Sequence, residues 1–177
     1  MRTNIANISK DLNRVTAVMH TDGLNIGLVG YIGNTELLGR YFAESFCCEA
    51  IRLPSAKRKG ATPWLARALN GIYPYFPEPA LRALSHFYRL LYSSSERVLP
   101  NTLNLDDLAE CERYLTMVLV DDNTYTGKTM ELWKAKLKSV RPDIDVITFS
   151  AAVTGEYKPD YYCFTKWRSF EWRPIGI

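Results

Sequence analysis

Apolar residues recur at two kinds of spacing along this chain, and each kind predicts a different element. Near the start they are three or four positions apart, which predicts an amphipathic helix whose apolar face is formed by Ile5, Ile8, Leu12, Val15 and Met19. Short apolar runs predict strands over 24–31, 49–53, 116–121, 144–151 and 160–164. Helices are predicted over 35–46, with Asn34 as the N-cap, and over 129–140. This alternation indicates an α/β fold in which helices flank a mainly parallel central sheet.

The middle of the chain breaks the alternation. Residues 60–114 have mostly helical spacing and predict a helical insert, which we expect to form a hood, a dimer interface or both. The basic run 57–60 leads into the insert and is predicted to be a loop, either a solvated one or a flap that faces phosphate. Aromatic residues concentrate in 64–92 and 157–172, and if these segments meet they form an apolar hood over a flat ligand.

The composition narrows the class of protein. The 177 residues fit a single domain, 1–177, and 47% apolar with 23% charged residues is ordinary for a globular chain. No apolar run approaches the ~20 residues that cross a bilayer, and the polar start lacks a signal-peptide core, so we expect a cytoplasmic protein without membrane contact. A net charge of +3 does not by itself indicate nucleic-acid binding. The 4 cysteines lack a C-x-x-C spacing, which argues against zinc and favours reduced thiols.

The segment 117–129, MVLVDDNTYTGKT, carries the most specific chemistry. Its apolar residues bring the chain to the carboxyl end of a predicted strand, where Asp121 and Asp122 are expected, and ligands bind at such ends in open α/β sheets. A turn rich in hydroxyl residues leads into a helix, whose N-terminal N–H groups and dipole suit a phosphate. The two carboxylates suit sugar hydroxyls or a hydrated magnesium ion.

Two other interpretations of this segment compete with a phosphate and sugar site. The Gly-Lys-Thr ending occurs in nucleotide-binding P-loops, but such a loop needs a glycine where this chain has Asp122. An ordinary turn between a strand and a helix, with exposed acids, is the plain structural alternative. The acidic pair, the hydroxyl residues and Thr-Gly-Lys-Thr together favour the phosphate site over both.

VLVDDNTYTGKTM resembles the phosphoribosyl-pyrophosphate (PRPP) motif of type I phosphoribosyltransferases, which has an apolar strand, two acids, a few variable residues and Thr-Gly-x-Thr. The resemblance implies that Asp121 and Asp122 are catalytic, face the ribose hydroxyls and hold Mg²⁺ together with PRPP. The 5′-phosphate loop that it implies consists of Thr124, Tyr125, Thr126, Gly127, Lys128 and Thr129. The implied fold is the type I phosphoribosyltransferase fold, with a small C-terminal hood. The helical insert near 60–114 departs from the family, which usually has a short mobile loop there.

Weaker similarity extends in both directions. Strand, loop and helix at 28–39 take the place of the family's pyrophosphate loop, without the arginine that purine members often carry there. The tail 159–177 resembles the end of the xanthine–guanine branch, which implies that Trp167 stacks on the nucleobase; a core or surface-patch tryptophan is the plain alternative. The implied pyrophosphate-loop residues are Gly30, Tyr31, Ile32 and Gly33.

Two departures from the family bear on the reaction. Tyr125 stands where many purine enzymes have an aspartate that accepts a proton from the base, and a neutral tyrosine is a poor general base at neutral pH. Ala151 stands where a lysine contacts the 6-oxo group of oxopurines. Guanine and hypoxanthine are therefore doubtful acceptors.

We therefore expect a Mg²⁺-dependent phosphoribosyltransferase of nucleotide metabolism, close to the purine-salvage branch, that transfers the phosphoribosyl group from PRPP to a nucleobase-like acceptor, releases pyrophosphate and forms a homodimer. The alternative is a non-catalytic regulator or binding module of the same fold that keeps the PRPP pocket. Nucleic-acid binding, which rests on the net charge and the basic run 57–59, is the weakest of the three.

Overall fold

The fold is described by a computed structural model over residues 5–58, 96–100 and 116–166, with a few single positions between 77 and 87. Its helices with described bounds are α1 (Ile5–Thr21), α2 (Glu36–Phe46) and α3 (Lys128–Val140). Its strands are β1 (Leu28–Ile32), β2 (Glu49–Leu53), β3 (Lys57–Arg58), β4 (Arg97–Val98), β5 (Thr116–Thr124), β6 (Asp145–Val153) and β7 (Tyr161–Phe164).

Five of the strands form one sheet in the order β2-β1-β5-β6-β7, and every neighbouring pair is parallel. The predicted α/β fold with a mainly parallel sheet is therefore confirmed. Because all these strands run in the same direction, their carboxyl ends lie at one edge of the sheet. The turns that follow β1 and β5 are thereby brought to the same edge.

Helices cover both faces of the sheet. On one face, α1 and α2 pack their buried residues, such as Leu12 and Phe42, against Val118 and Val120 of β5. On the other face, α3 packs against the alternate residues of the same strand. A strand buried on both faces must be apolar at successive positions, which explains the unbroken run 117–120.

The spacing-based prediction of α1 is confirmed, since the buried positions of that helix include Ile8, Leu12, Val15 and Met19. The predicted start of β1 is too early, because regular pairing with β2 and β5 begins at Leu28. The predicted N-cap of α2 is also wrong. Thr35 is the N-cap, and the Oδ1 atom of Asn34 accepts a hydrogen bond from Arg52 instead.

The basic run and the insert differ in part from prediction. Lys57 and Arg58 form β3 rather than a loop, because they pair antiparallel with Arg97 and Val98 of β4. The predicted helical insert thus contains a strand near its end. Most of 60–114, with the remainder of the basic run, and the C-terminal hood with Trp167 lie outside the described residues.

Two further features concern the described part of the chain. Cys47, Cys48 and Cys163 are free thiols, whereas Cys111 lies outside the described residues. Burial raises the pKa of the Cys48 thiol to about 11 and that of Cys163 to about 12, so both stay protonated at neutral pH.

Among the described residues, no helix combines the length and the hydropathy needed to cross a membrane.

Candidate active site

The sheet has a topological switch point between β1 and β5. From β1 the chain passes through α2 to β2 on one side, and from β5 it passes through α3 to β6 on the other side. The two helices pack on opposite faces of the sheet, so the turns that lead into them separate at this point. Ligands of open α/β sheets bind in the crevice that such a reversal leaves at the carboxyl ends of the strands.

The acidic pair lies within the last residues of β5. This strand continues past the predicted end to Thr124, because its pairing with β6 extends as far as Val153. The backbone N–H of Asp122 donates to Oδ1 of Asp121 at 2.8 Å, and the N–H of Asn123 donates to Oδ1 of Asp122 at 2.6 Å. Asp122 is only 3% exposed and Asp121 is half-buried. Backbone N–H groups therefore orient both carboxylates at the carboxyl edge of the sheet.

The β5–α3 turn, Tyr125–Gly127, is shorter than the polar turn that the sequence predicts. Gly127 is the N-cap of α3 and has a φ of 66°, a left-handed conformation that glycine adopts without steric cost. The N-cap residue, being a glycine, makes no side-chain capping bond to this helix. Since the first N–H groups of a helix lack partners within the helix and carry the positive end of its dipole, the turn suits an anion.

The loop after β6 packs onto the β5–α3 turn. The N–H of Thr154 donates to the carbonyl oxygen of Thr124 at 2.9 Å, and the ring of Tyr157 lies directly on Gly127. A Cβ atom on Gly127 would lie 2.1 Å from Cδ2 of that ring. The Tyr157 hydroxyl donates to Oε1 of Glu131 at 3.0 Å, and burial raises the pKa of Tyr157 to about 12. The turn is therefore held by a second loop, which fixes its backbone.

An arginine from the two-stranded ribbon reaches the start of α3. Nη1 of Arg97 donates to Oγ1 of Thr129 at 2.5 Å. Arg97 is half-buried and Thr129 is 8% exposed. The contact places a permanent positive charge beside the N-terminus of α3, where it adds to the attraction for a phosphate. The sequence does not predict this contact, because Arg97 and Thr129 are far apart in the chain.

Most residues of the predicted pyrophosphate loop lie in a strand and not in a loop. Gly30, Tyr31 and Ile32 belong to β1, and only Gly33 lies in the β1–α2 turn, Gly33–Thr35. Gly30 serves packing instead, since a Cβ atom there would lie 2.3 Å from Cε of Met117. The loop residues that the strand brings to the carboxyl edge are therefore Gly33, Asn34 and Thr35.

Three contacts hold the β1–α2 turn. The N–H of Gly33 donates to the carbonyl oxygen of Leu53 at 2.7 Å, and the guanidinium of Arg52 donates to the turn from the other strand of the pair. The Thr35 hydroxyl lies 3.0 Å from the carbonyl oxygen of Ile32 and 3.3 Å from that of Val120. Thr35 thereby links the turn to β5 just before the acidic pair, and its side chain does not cap α2.

The remaining predicted site residues occupy different environments. Thr124 is buried at the end of β5, and its hydroxyl faces the sulfur of Met130 at 3.8 Å. Tyr125, Thr126 and Lys128 are half-buried at the turn. Trp167 lies outside the described residues, and Ala151 is fully buried in β6. The turn and the acidic pair are thus brought together, and Arg52, Thr35, Arg97 and Tyr157 join them without having been predicted.

The donor set at this edge fits magnesium only together with a substrate. No group of three or more His, Cys, Asp or Glu side chains lies close enough to hold a metal within the described residues. Asp121 and Asp122 supply two adjacent carboxylates, and Mg²⁺ commonly binds through one or two carboxylates, waters and substrate phosphates. The pair therefore suits a hydrated Mg²⁺ that arrives with a phosphorylated ligand.

Comparison with known proteins identifies the fold. No family model matches the sequence, and no curated protein matches it. Among solved structures, the chain is similar to a xanthine-guanine-hypoxanthine phosphoribosyltransferase of Helicobacter pylori, with a TM-score of 0.62 and 13% identity over 97% of this chain and 92% of that one. It is also similar to a purine phosphoribosyltransferase of Pyrococcus horikoshii, with a TM-score of 0.59 and 14% identity over 100% and 96% of the two chains.

A third structure, a hypothetical protein from Neisseria gonorrhoeae with bound ppGpp, has a TM-score of 0.60 and 13% identity over 97% of this chain and 90% of that one. The coverage is nearly complete on both sides in all three comparisons. The chain therefore has the fold of type I phosphoribosyltransferases, as the PRPP-like motif predicts.

Proposed function

We propose that this protein is a phosphoribosyltransferase that uses PRPP and Mg²⁺ and transfers the phosphoribosyl group to a nucleobase-like acceptor. One observation carries the proposal. At the switch point of a phosphoribosyltransferase fold, two oriented carboxylates near the end of β5 are followed by Thr-Gly-Lys-Thr, which spans the turn and the first residues of α3. A sugar with a phosphate at one end needs hydroxyl acceptors next to an anion site, and this arrangement supplies both.

Different residues of the chain bind different parts of PRPP. Asp121 and Asp122 accept hydrogen bonds from the ribose hydroxyls, and the start of α3 with Thr126 and Thr129 binds the 5′-phosphate. The β1–α2 turn binds the pyrophosphate through its backbone N–H groups. Magnesium, when it is bound with PRPP, neutralises the charge on the leaving pyrophosphate.

The reaction that this geometry supports is a displacement at the anomeric carbon of the ribose. As the bond to pyrophosphate breaks, negative charge develops on the leaving group and the N–H groups of the β1–α2 turn stabilise it. The acceptor attacks the opposite face of the sugar. Because neither Tyr125 nor Ala151 provides the acid–base or oxo-binding group of many purine enzymes, the chain mainly positions the reactants.

The second candidate function is a binding module of the same fold that holds PRPP or a nucleotide without turning it over. Tyr125 and Ala151 favour it, because both replace groups that act on the base in oxopurine enzymes. In this case the carboxylates and both turns are kept for binding alone. Affinity for PRPP is common to both functions, and turnover separates them.

The test is release of pyrophosphate from PRPP in the presence of Mg²⁺ and a panel of oxopurines, aminopurines and pyrimidines. We expect base-dependent release, and we expect Asp121→Asn/Asp122→Asn to lower its rate by about 100-fold or more. Asp143→Asn, which removes an exposed acid at the far end of α3, is the matched control and should leave the rate unchanged. PRPP binding without release on any base would favour the binding module, and absence of PRPP binding would contradict both.

A further inference from the structure

Arg52 reaches from the end of β2 into the neighbouring β1–α2 turn. Its Nε donates to the carbonyl oxygen of Gly33 at 3.0 Å, and its Nη2 donates to Oδ1 of Asn34 at 3.2 Å. The side chain is exposed, and no carboxylate of the described residues forms an ion pair with it. A planar guanidinium that holds two acceptors at once fixes their relative orientation. Arg52 therefore determines how the peptide between Gly33 and Asn34 is turned.

The orientation of this peptide decides where its N–H group points. In a trans peptide the C=O and N–H bonds point in opposite directions, so a Gly33 carbonyl turned to Arg52 directs the N–H of Asn34 away from β2. Neither this N–H nor that of Thr35 has an acceptor among the described residues. Two adjacent backbone donors at the switch point are thus left for a ligand.

The rest of the turn is fixed independently of Arg52. The N–H of Gly33 is bonded to Leu53, and the hydroxyl of Thr35 is turned to the carbonyl oxygens of Ile32 and Val120. These contacts hold both ends of the turn, and none of them involves the carbonyl oxygen of Gly33 or the N–H of Asn34. The only side chain of the described residues that bonds to that peptide's carbonyl oxygen is Arg52.

We infer that Arg52 is a positioning residue that aims the backbone N–H groups of the β1–α2 turn at the pyrophosphate group of PRPP. The inference rests on the proposed function. It differs from a direct ionic contact, because Arg52 acts through Gly33 and Asn34, whose oxygen atoms accept its hydrogen bonds. A residue of this kind acts on the ligand group beside the turn and leaves the distant 5′-phosphate unaffected.

The test is calorimetric titration of the full chain with two probes, pyrophosphate with Mg²⁺ and ribose 5-phosphate. We expect Arg52→Gln to weaken pyrophosphate binding by about tenfold and ribose 5-phosphate binding by less than about twofold. Arg52→Lys keeps the charge but loses the planar fork, so its loss for pyrophosphate should approach that of Arg52→Gln. Arg40→Gln removes an exposed arginine of α2 that pairs with Glu36, and it should change neither affinity.

Each contrary outcome has a distinct meaning. Equal losses for both probes would show a general structural role for Arg52 and overturn the inference. Full retention of pyrophosphate affinity in Arg52→Gln would overturn it as well, and so would wild-type affinity in Arg52→Lys, which would indicate simple charge attraction. In these cases the proposed function survives. A wild-type protein that binds neither PRPP nor pyrophosphate would contradict both the inference and the proposed function.

Discussion

The β5–α3 turn and the β1–α2 turn follow neighbouring strands and have similar backbone conformations. Each contains a glycine with positive φ, 66° at Gly127 and 68° at Gly33, and each leads into a helix whose N-cap residue makes no side-chain capping bond. The two turns differ in their surroundings. The β5–α3 turn follows two carboxylates and packs against the ring of Tyr157, whereas the β1–α2 turn accepts hydrogen bonds from the guanidinium of Arg52 on β2.

This difference shows how one fold presents two anion sites of different character. The β5–α3 turn is packed against a second loop, so its shape is built into the core and the chemistry of its surroundings is acidic and hydroxylic. In the β1–α2 turn Asn34 is exposed, Gly33 is half-buried and Thr35 is buried, and no second loop of the described residues packs on Asn34, so the shape of the turn depends on a few side-chain contacts. We therefore expect changes at the first turn to affect stability and ligand together, and changes at the second to affect mainly the ligand.

The largest expected effect is that of a side chain at Gly127. Gly127→Ala combines a positive φ with a Cβ atom 2.1 Å from the Tyr157 ring, so we expect it to lower the free energy of unfolding by about 2–4 kcal/mol. At Gly33 the new Cβ would meet Oγ of Ser55 at 2.3 Å, and Gly33→Ala should cost about 1–2 kcal/mol because that short side chain can rotate. Chemical denaturation measures both.

Gly23→Ala is the matched control for the backbone contribution alone. Gly23 has a φ of 73° with no atom within 4 Å of an added Cβ, so its substitution should cost about 1 kcal/mol. Adding Ser55→Ala should bring the cost at Gly33 down to this level, since only Oγ obstructs the new Cβ. A cost at Gly127 no larger than that at Gly23 would contradict the claim that Tyr157 packs on the β5–α3 turn.

An intermediate effect is expected at the contact between Arg97 and Thr129. Because Arg97 brings its charge to the start of α3, Arg97→Gln should weaken ribose 5-phosphate binding by about fivefold and pyrophosphate binding by less. Thr129→Val removes the acceptor. In a double-mutant cycle for ribose 5-phosphate, the two changes should couple by about 1 kcal/mol. Fully additive losses would show that the two side chains act separately on the ligand.

The smallest effect is a change of stability at high pH. The pKa of Tyr157 is raised by burial from about 10 in the unfolded chain to about 12, so the folded state favours the neutral phenol. The stabilisation that results is complete below pH 10 and is lost as the pH rises toward 12. Tyr157→Phe should therefore show a shallower decline of unfolding free energy above pH 10 than the wild type.

Tyr161 provides the comparison for this measurement. Burial raises its pKa to about 12 as well, with a further contribution from its hydrogen bond to Asp22, but it lies on β7 away from the β5–α3 turn. Tyr161→Phe should flatten the pH profile without changing ligand affinity. An unaltered profile in Tyr157→Phe would contradict the burial of that phenol.

The sequence predicts the helices and the strands of the main sheet, but it predicts neither the β3–β4 pair nor the contacts between elements. The spacing in α1 and the run 117–120 predict a helix and a strand, and the structure confirms both, because local periodicity and apolar runs reflect burial directly. The acidic pair and Thr-Gly-Lys-Thr located one turn, because all its residues are adjacent in the chain. The predicted end of β5 is too early, since the length of this strand depends on how far β6 pairs with it.

The second turn was less predictable for a related reason. Gly30 falls inside the predicted strand 24–31, yet the resemblance to the family assigns it to the pyrophosphate loop together with Gly33; the packing of Gly30 against Met117 and Leu53 shows that the strand prediction is the correct one. Asn34 is a good N-cap by type, yet its side chain is engaged by Arg52 from the next strand. Arg52 and Arg97 contact residues that are distant in sequence, and a single sequence without its register holds no information about such pairs.

The central claim is that the acidic pair and the β5–α3 turn form a PRPP site. Calorimetric titration with PRPP and Mg²⁺, comparing the wild type with Asp121→Asn/Asp122→Asn, tests it most directly. We predict saturable binding by the wild type and a loss of at least about tenfold in the variant, because two oriented carboxylates are removed from the ribose and the metal. Equal affinity in the two proteins, or no binding by the wild type, would contradict it.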